Sequence, residues 1–556
     1  MLSIKPINNA SQASHYYHGD DNYYFNEEDA QKQSEWQGRG AELLGLYGEV
    51  EQEKFEALLE GKLPNGLQVG AKNKDIKHRP GTDLTFSAPK SVSVLGLVGD
   101  DHRILKAHNE AVRYVLNEIE QEAAQARNFS NENGVGYENT KNVVIAKFFH
   151  NTSRAMDPQY HTHCVFLNVT QRSDGSWRAL ASCSKQEGEV INGFRERVYN
   201  NKMYYGALYR SVLSELLRSL GYETVSTGKN GLFEIKGVPK DLLESFSQRR
   251  AQVVEQLNEK GYSSSKASSF AALVNRPFKE SMPEEDKFSE WKARCEAYDF
   301  DIKRFILSAD KESLEAKAPS ELTPIVQEHA DRLSNVSPIF SKRQLISNII
   351  LKNPDLASVS TLENVIDKMS SSKNGLIIKD GIYTTQKAEQ ERTLLIEKIK
   401  ENKECKLALI DKNEIADIRN IINNEKNATI LSLSRETAQN NRNTLVQGTN
   451  SLLPKIRQIL SNNTQTVAQF ITEKEQLISM PFGKSFSSKS PVFVDISTNI
   501  GIKETTKIVE ICNKLGKELT FIGYEDNNNR FGNDILEILK NHVANEKTKI
   551  TSIQKG

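Results

Sequence analysis

The sequence predicts an α+β fold: an antiparallel sheet covered by helices on one side, followed by a winged-helix-like segment and a small α/β domain. Three observations carry that expectation. Two β-prone runs, Asn142 to Thr152 (NVVIAKFFHNT) and Tyr160 to Thr170 (YHTHCVFLNVT), flank a turn-like segment containing Arg154, Asp157 and Pro158, so they read as antiparallel neighbours. Apolar residues at helical spacing flank that hairpin, from Asp101 to Arg127 and from Asn200 to Leu220, enough to cover one face of a sheet. From Lys406 onward, short apolar runs alternate with helical segments, the pattern of a parallel sheet.

Composition bounds the rest. At 556 residues the chain exceeds the roughly 250–300 that one core supports, so several domains are expected. Lys plus Arg and Asp plus Glu are equal at 73 each, so a nucleic-acid surface has to be a local patch rather than a globally basic one. The 5 cysteines, Cys164, Cys183, Cys295, Cys405 and Cys512, form no CxxC pair and no disulfide framework, which points to a reducing cytoplasm. No apolar run approaches the roughly 18 residues of a membrane span, and MLSIKPINNASQ lacks a signal peptide's hydrophobic stretch, so no membrane insertion is expected.

In chain order, LSIKPI reads as a short strand and Asn9 to Tyr17 as a helix. Two doublets follow, Tyr16-Tyr17 and Tyr23-Tyr24, dense for a chain with 17 tyrosines. Aromatic packing accounts for some of these; a phenol beside a divalent cation can also be deprotonated and attack phosphorus. SEWQGRGAELLG (34–45) has neither GxGxxG nor GxxxxGK[ST] spacing, so it reads as a loop and helix start with an exposed Trp36. Glu49 to Gly61 reads as a short amphipathic helix closed by its glycine. In RPGTDLTFSAPKSVS (79–93), Leu84 to Phe86 reads as a strand. Ser87 reads as an N-cap, which puts Lys90 in a first helical turn as a candidate phosphate contact. Asp83 is either a turn residue or an acceptor for a metal-bound histidine.

The hairpin carries the chemistry. Side chains alternate along a strand, so His161 and His163 project to one side and Thr162 and Cys164 to the other; His150, near the end of the preceding strand, can reach the same face. A lone His-x-His on a strand is more often a surface or core pair. Here three of only 10 histidines converge, which favours a divalent metal site with positions left open for a substrate oxygen.

Beyond a linker around Asp310 to Pro324, helical segments Ser341 to Leu351 and Thr361 to Met369 precede a hairpin turning at Asp380-Gly381, an order that resembles a winged helix. Ala428 to Leu433, Pro491 to Val494 and Glu518 to Gly523 read as buried strands, with helices at Gly501 to Leu515 and Asp534 to Val543. Gly483-Lys484-Ser485 lacks the earlier P-loop glycine, and Ile496 follows Asp495 where a helicase needs a glutamate, so nucleotide hydrolysis is not expected.

The tyrosine doublets, SEWQGRGAELLG, RPGTDLTFSAPKSVS and HNTSR followed by DPQYHTHCVFLN resemble, in order, the relaxase domain of MobF-type (TraI/TrwC-like) conjugative relaxase–helicases. The resemblance covers roughly residues 1–300 and implies a relaxase-type antiparallel sheet with an HUH site on its open face. It implies that His150, His161 and His163 bind a divalent cation, Mg²⁺ or Mn²⁺ by abundance, Zn²⁺ by imidazole affinity. It implies that Tyr16 attacks the scissile phosphate of single-stranded origin-of-transfer (oriT) DNA, giving a 5′-phosphotyrosine and a free 3′-hydroxyl. Tyr23 matches a second nucleophile, Tyr17 and Tyr24 the remaining tyrosines, and Asp83 an acid that orients a ligand or takes the tyrosine proton. Lys90 and Arg154 are the expected DNA contacts. Implied partners are the coupling protein of a type IV secretion system and relaxosome accessory proteins. The implied place of action is the bacterial cytoplasm, with passage into the recipient cell on DNA.

More weakly, SPVFVDISTNIGIKETTKIVEICNKLGKELTFIGYEDNNNR resembles the inactive RecD-like helicase domain of that family. The expected division is therefore relaxase (1–310), linker and winged-helix-like segment (311–390), and degenerate RecD-like α/β domain with single-strand binding (391–556). No second, active helicase is recognised, so the chain reads as a fragment of a larger protein or as dependent on another helicase. Two other functional classes stay open: a catalytically decayed DNA-binding adaptor of a transfer apparatus, and an HUH rolling-circle replication initiator. The second is disfavoured because the tyrosines precede the histidines.

Overall fold

The computed structural model describes residues 2–8, 10, 34–69, 78–130, 134–153, 155–186, 189–228, 230–248, 284–309, 318–334, 339–371, 375–379, 381–401, 405–410, 429–432, 464–466, 492–495, 502–524 and 538–539. Tyr16, Tyr17, Tyr23, Tyr24, Arg154 and the Gly483-Lys484-Ser485 stretch lie outside the described residues. The chain forms two compact units, 1–317 with 349–360, and 318–348 with 361–556.

The first unit is built on an antiparallel sheet. In chain order its strands are β1 (Leu2–Ile7), β2 (Ser34–Gln37) and β3 (Gly81–Ser87); β4 (Gln125–Ser130) and β5 (Gly134–Asn139) make a separate hairpin; β6 (Val144–Thr152) and β7 (Pro158–Leu167) complete the sheet. The spatial order is β1-β3-β7-β6-β2, and each neighbouring pair is antiparallel. The expected hairpin is thus the centre of the sheet. β2 was not expected as a strand. Four residues carry little local preference, and Ser34–Gln37 becomes a strand by pairing with Ile145–Phe148, more than 100 residues away.

The two faces differ. Ile145, Thr162, Cys164, Leu84 and Phe86 point toward the helices His102–Ala123 and Lys202–Ser219, with the Phe86 and Tyr209 rings 5.4 Å apart. The first of these helices is capped by Asp101, whose carboxylate accepts from Arg103 N. It buries Ile104, Leu105, Ala111, Val112, Val115, Leu116 and Ile119, each worth about 1.5–3 kcal/mol when fully removed from water for the larger side chains. The second ends before Gly221, whose φ of 88° is the left-handed conformation that stops a helix cheaply only at glycine.

The opposite face carries the histidines at one end, as expected, yet it is not bare. Val144, Ala146, Phe148, Val165 and Leu167 pack there with Trp36, Ala41, Phe55, Leu58 and Leu59 as a second small core. Trp36, expected to be exposed, is 5 % exposed and donates its indole N–H to Glu51. The expected amphipathic helix is Gln52–Leu59, followed by Gly61.

The glycines of SEWQGRG serve backbone docking. Gly40 N donates to Val143 O, and a Cβ on Gly38 or Gly40 would stand 2.4 or 2.7 Å from that same carbonyl oxygen. The buried carboxylate of Glu120 accepts from both Arg39 N and Val143 N, pinning the short helix Arg39–Leu43 to the start of β6. Burial pushes that carboxyl's pKa up, against the pull of the two N–H donors.

In the second unit a helix, Pro319–Ser334, starts inside the stretch expected to be a linker. Its buried Leu322, Val326 and Ala330 recur at four-residue spacing, an apolar stripe that the surrounding Lys, Glu, Ser and Pro residues obscured in the sequence. The helical segments read from sequence correspond to Lys342–Lys352 and Val359–Ser370, and Leu376–Lys379 pairs with Ile382–Thr385 around Gly381, φ 77°. A five-stranded parallel sheet follows. Its spatial order is Cys405–Ile410, Leu519–Tyr524, Val492–Asp495, Thr429–Ser432, Thr464–Thr466. Val492, Val494, Leu519 and Phe521 pack with Ile508, Val509 and Cys512 of the helix Ile502–Leu515 and with Leu395 and Ile399 of the helix Gln386–Glu401.

Candidate metal centre

Register decides the site. His150 on β6 stands directly opposite His161 on β7, and Phe148 opposite His163, so the imidazoles occupy three adjoining positions on one face. The rings form a nearly equilateral triangle, with centroids 5.2 Å (His150–His161), 5.0 Å (His150–His163) and 5.3 Å (His161–His163) apart. One nitrogen from each lies within 4.8 Å of the others.

The outer nitrogens are held. His161 Nδ1 donates to Gln159 O at 2.9 Å, and His163 Nδ1 to Asp83 Oδ2 at 2.8 Å. Each bond places the proton on Nδ1 and turns the Nε2 lone pair to the centre, the orientation a metal requires of imidazole. His150 Nε2 is buried and has no hydrogen-bond partner among the described residues. Leaving such an atom unpaired costs about 1–3 kcal/mol, which a cation bound there would offset. A neutral all-imidazole donor set with one orphaned buried nitrogen fits a divalent cation.

Electrostatics agree. Burial, reinforced by the neighbouring His163, pushes the His161 pKa down to about 4. Burial and the two facing imidazoles hold His150 well below the usual histidine value. Both rings are therefore neutral at pH 7, with lone pairs free for a metal.

Asp83 lies on β3 beside Thr85, the cross-strand partner of His163. It is 4 % exposed, and its Oδ2 also accepts from Thr85 Oγ1 at 3.3 Å, while Oδ1 is buried without a partner among the described residues. Of the two readings left open for it, the acceptor on a histidine is the one the fold builds.

Lys90 is placed differently from expectation. Pro89, not Ser87, occupies the N-cap of Lys90–Ser93 and offers no capping side chain of its own. The first amides are taken by Glu234, whose carboxylate accepts from Lys90 N at 3.3 Å and from Ser91 N at 2.7 Å. The Lys90 ammonium donates to Pro158 O at 2.9 Å, at the start of β7. Burial pushes its pKa down to about 8, although Asp157 and Glu234 oppose the shift. Lys90 therefore ties its helix to the start of β7, and Glu234 occupies the amides that were expected to face a phosphate.

The turn between β6 and β7 is held from the other side. Asp157 accepts from Gln248 N and Nε2, both at 3.1 Å, and Trp291 Nε1 donates to Met156 O at 3.0 Å. Sequence reading missed Glu234, Gln248 and Trp291 because they lie more than 70 residues beyond the turn and carry no spacing signal.

Comparison with known proteins adds three findings. Residues 10–298 match the family model of the TrwC relaxase. The chain is 40% identical over 312 residues to the multifunctional conjugation protein TraI of Escherichia coli strain K12, covering 56% of this chain and 17% of that protein. It is 39% identical over 321 residues to a second Escherichia coli TraI, covering 57% of this chain and again 17% of the relative, so it spans about a sixth of their length. Among solved structures it is similar to the metal-bound conjugative relaxase TrwC in complex with oriT DNA, at 38% identity and TM-score 0.48, over 54% of this chain and 100% of that one. It is also similar to TrwC complexed with a 27-mer DNA comprising the recognition hairpin and the cleavage site, at 36% identity and TM-score 0.47, over the same shares.

Proposed function

The chain belongs to the TrwC relaxase family, and on that premise we propose that it nicks one strand of a plasmid's origin-of-transfer DNA by metal-dependent tyrosine transesterification, for conjugative transfer and religation. The observation that carries this reading is the triangle of imidazoles on a rigid two-strand platform, with two of its three rings oriented by hydrogen bonds. His150, His161 and His163 would hold the cation. When bound, a divalent ion supplies positive charge that polarises the scissile phosphate. Mg²⁺ or Mn²⁺ is the proposed ion, with Zn²⁺ the alternative that the ligand set permits.

The chain's own residues do the rest. The Tyr16 phenol oxygen bonds to phosphorus while the bond from phosphorus to the 3′ oxygen breaks; the phenol proton leaves and the 3′ oxygen ends as a hydroxyl. A free phenol has a pKa near 10, so attack at neutral pH needs charge stabilisation nearby. Tyr23 is the proposed second nucleophile, with Tyr17 and Tyr24 as companions in the same segment. Asp83 holds the His163 ring and its tautomer. Because the phosphodiester energy is kept in the tyrosine–DNA bond, religation needs no ATP. Arg154, four residues after His150 in the sequence, is the proposed DNA contact.

We assign 391–556 to a degenerate RecD-like domain that binds single-stranded DNA. Its parallel sheet supports that reading, and the strand Cys405–Ile410 leads into Asp411-Lys412-Asn413-Glu414, with no glycine to cradle a phosphate. Residues 311–390 are assigned as a winged-helix-like connector. A type IV secretion coupling protein and relaxosome accessory proteins are the proposed partners, and the bacterial cytoplasm the proposed place of nicking. No helix among the described residues is long and apolar enough to cross a membrane.

The test uses the full chain, Mn²⁺ and a single-stranded oligonucleotide carrying the host element's origin. A covalent adduct to the 5′ phosphate of the fragment on the 3′ side of the nick, mapped to Tyr16 by mass spectrometry, is expected, and Tyr16→Phe should lose most of it. Full adduct yield from the Tyr16→Phe, Tyr23→Phe double variant would eliminate the assignment. Absence of Mn²⁺ binding would favour the decayed adaptor instead. DNA-stimulated ATP turnover by the same preparation would refute the degenerate-helicase reading.

A further inference from the structure

Behind the metal-binding hairpin, on the sheet face away from the three histidines, lies a fourth histidine. His108, on the helix His102–Ala123, is completely buried. Its Nε2 lies 3.0 Å from Thr162 Oγ1, and its Nδ1 lies 2.7 Å from the hydroxyl of Tyr209 on the helix Lys202–Ser219. Thr162 and Tyr209 are themselves 0 % exposed. A neutral imidazole has one N–H and one lone pair, so one hydroxyl accepts and the other donates, and every polar atom of the ring is used.

Thr162 is the residue between His161 and His163. Its side chain points to the opposite face, so the bond to His108 grips β7 at the midpoint between two ligands. The next residue of the helix grips the strand again: Asn109 Oδ1 accepts from the Tyr160 hydroxyl at 3.1 Å, and Ser93 Oγ accepts from Tyr160 N at 3.0 Å. The His108 ring stands edge-on to Tyr160 (4.8 Å, 68°) and to Tyr209 (5.5 Å, 78°), so the ring is positioned by packing as well as by hydrogen bonds.

Ladder hydrogen bonds set where β7 sits along its neighbours, but they leave the strand some freedom to roll about its own axis. A roll carries His161 and His163 together and changes the angle at which their Nε2 atoms meet His150. A bond to the back of Thr162 opposes that roll. Apolar packing would bury Thr162 more cheaply, because a polar pair in a dry core costs desolvation that a methyl group would not.

We infer that His108 is a positioning residue for the metal centre: bridging Tyr209 and Thr162, it holds β7 at the roll angle at which the histidines converge. The inference rests on the metal-centre reading above and concerns the chain's own residues behind it.

Thr162→Val removes the hydroxyl and keeps the shape; Thr162→Ser keeps the hydroxyl. Tyr209→Phe removes the far end of the relay and leaves the strand untouched. Each full-length variant is titrated with Mn²⁺ alone by calorimetry, and its metal-free melting temperature is recorded separately. Thr162→Val is expected to weaken Mn²⁺ binding about tenfold, the lower end of the range for residues that orient ligands. Tyr209→Phe should weaken it in the same direction by less, and Thr162→Ser should restore it to within about threefold of the parent chain. Variants that melt earlier yet bind Mn²⁺ within twofold of the parent would assign the relay to packing alone and overturn the inference. If Thr162→Val fails to fold, Tyr209→Phe decides by the same criterion. A parent chain that binds no Mn²⁺ would overturn the metal-centre reading as well, so the two failures are told apart.

Discussion

Replacing Asp83 by Asn asks how much of the metal site is built by a residue that does not touch the metal. The change is nearly isosteric and removes one charge from a group that is 4 % exposed. The 2.8 Å bond to His163 Nδ1 then passes from charge-assisted to neutral. Net values are about 1.5–3 kcal/mol for the former and about 0.5–1.5 kcal/mol for the latter, so about 1–2 kcal/mol of ligand orientation and basicity is lost. That corresponds to roughly 5–30-fold in metal affinity at 1.4 kcal/mol per decade, overlapping the roughly 10–100-fold typical of residues that orient ligands. The new amide nitrogen takes the place of Oδ1, which is buried and has no partner among the described residues, so the metal-free protein should lose only the weakening of the His163 bond, about 1–2 kcal/mol of stability. Calorimetric titration of the full chain with Mn²⁺ measures the first effect, and denaturant unfolding without metal the second. An Mn²⁺ dissociation constant within twofold of the parent would refute Asp83 as the orienting group.

Further outcomes follow from other parts of the first unit. Gly38→Ala puts a methyl 2.4 Å from Val143 O at a φ of 103° and should destabilise by about 2–5 kcal/mol, combining left-handed strain with overpacking. Gly45→Ala, at φ 68° with nothing within 4 Å of the new Cβ, should cost only about 1–2 kcal/mol. Equal shifts in urea midpoint for the two would contradict the close backbone approach. Stability of the metal-free protein should depend on pH. The pKa values of His108, His150 and His161 are lowered in the folded state, chiefly by burial. Below about pH 6.5 the unfolded chain therefore binds more protons than the folded one, and stability rises with pH. The contribution is fully present above about pH 6.5 and lost as pH falls, at up to about 1.4 kcal/mol per unit for each histidine. A melting temperature no lower at pH 5 than at pH 7.5 would argue against buried neutral imidazoles.

Local periodicity made much of this protein legible. A two-residue repeat in YHTHCVFLNVT put His161 and His163 on one face, and the β-prone run before it brought His150 within reach, because strand geometry and turn chemistry act over a few residues. Helical spacing of Ile104, Leu105, Ala111, Val112, Val115, Leu116 and Ile119 likewise located the helix that covers the other face. Asp83 was legible as a possible acceptor for a histidine.

Only the tertiary structure joined it to His163, 80 residues on, because that pairing depends on the register of β3 against β7. The same holds for β2, a strand by virtue of its partner, and for Glu234 and Gln248, which occupy the Lys90 amides and the β6–β7 turn. His108 is the sharpest case. In sequence it is one residue on an amphipathic helix; in the fold it sits behind the strand that holds two of the site histidines. Short-range patterns record which way a side chain points along its own element. What that side chain meets is set by burial and register between distant elements, and no local spacing encodes it.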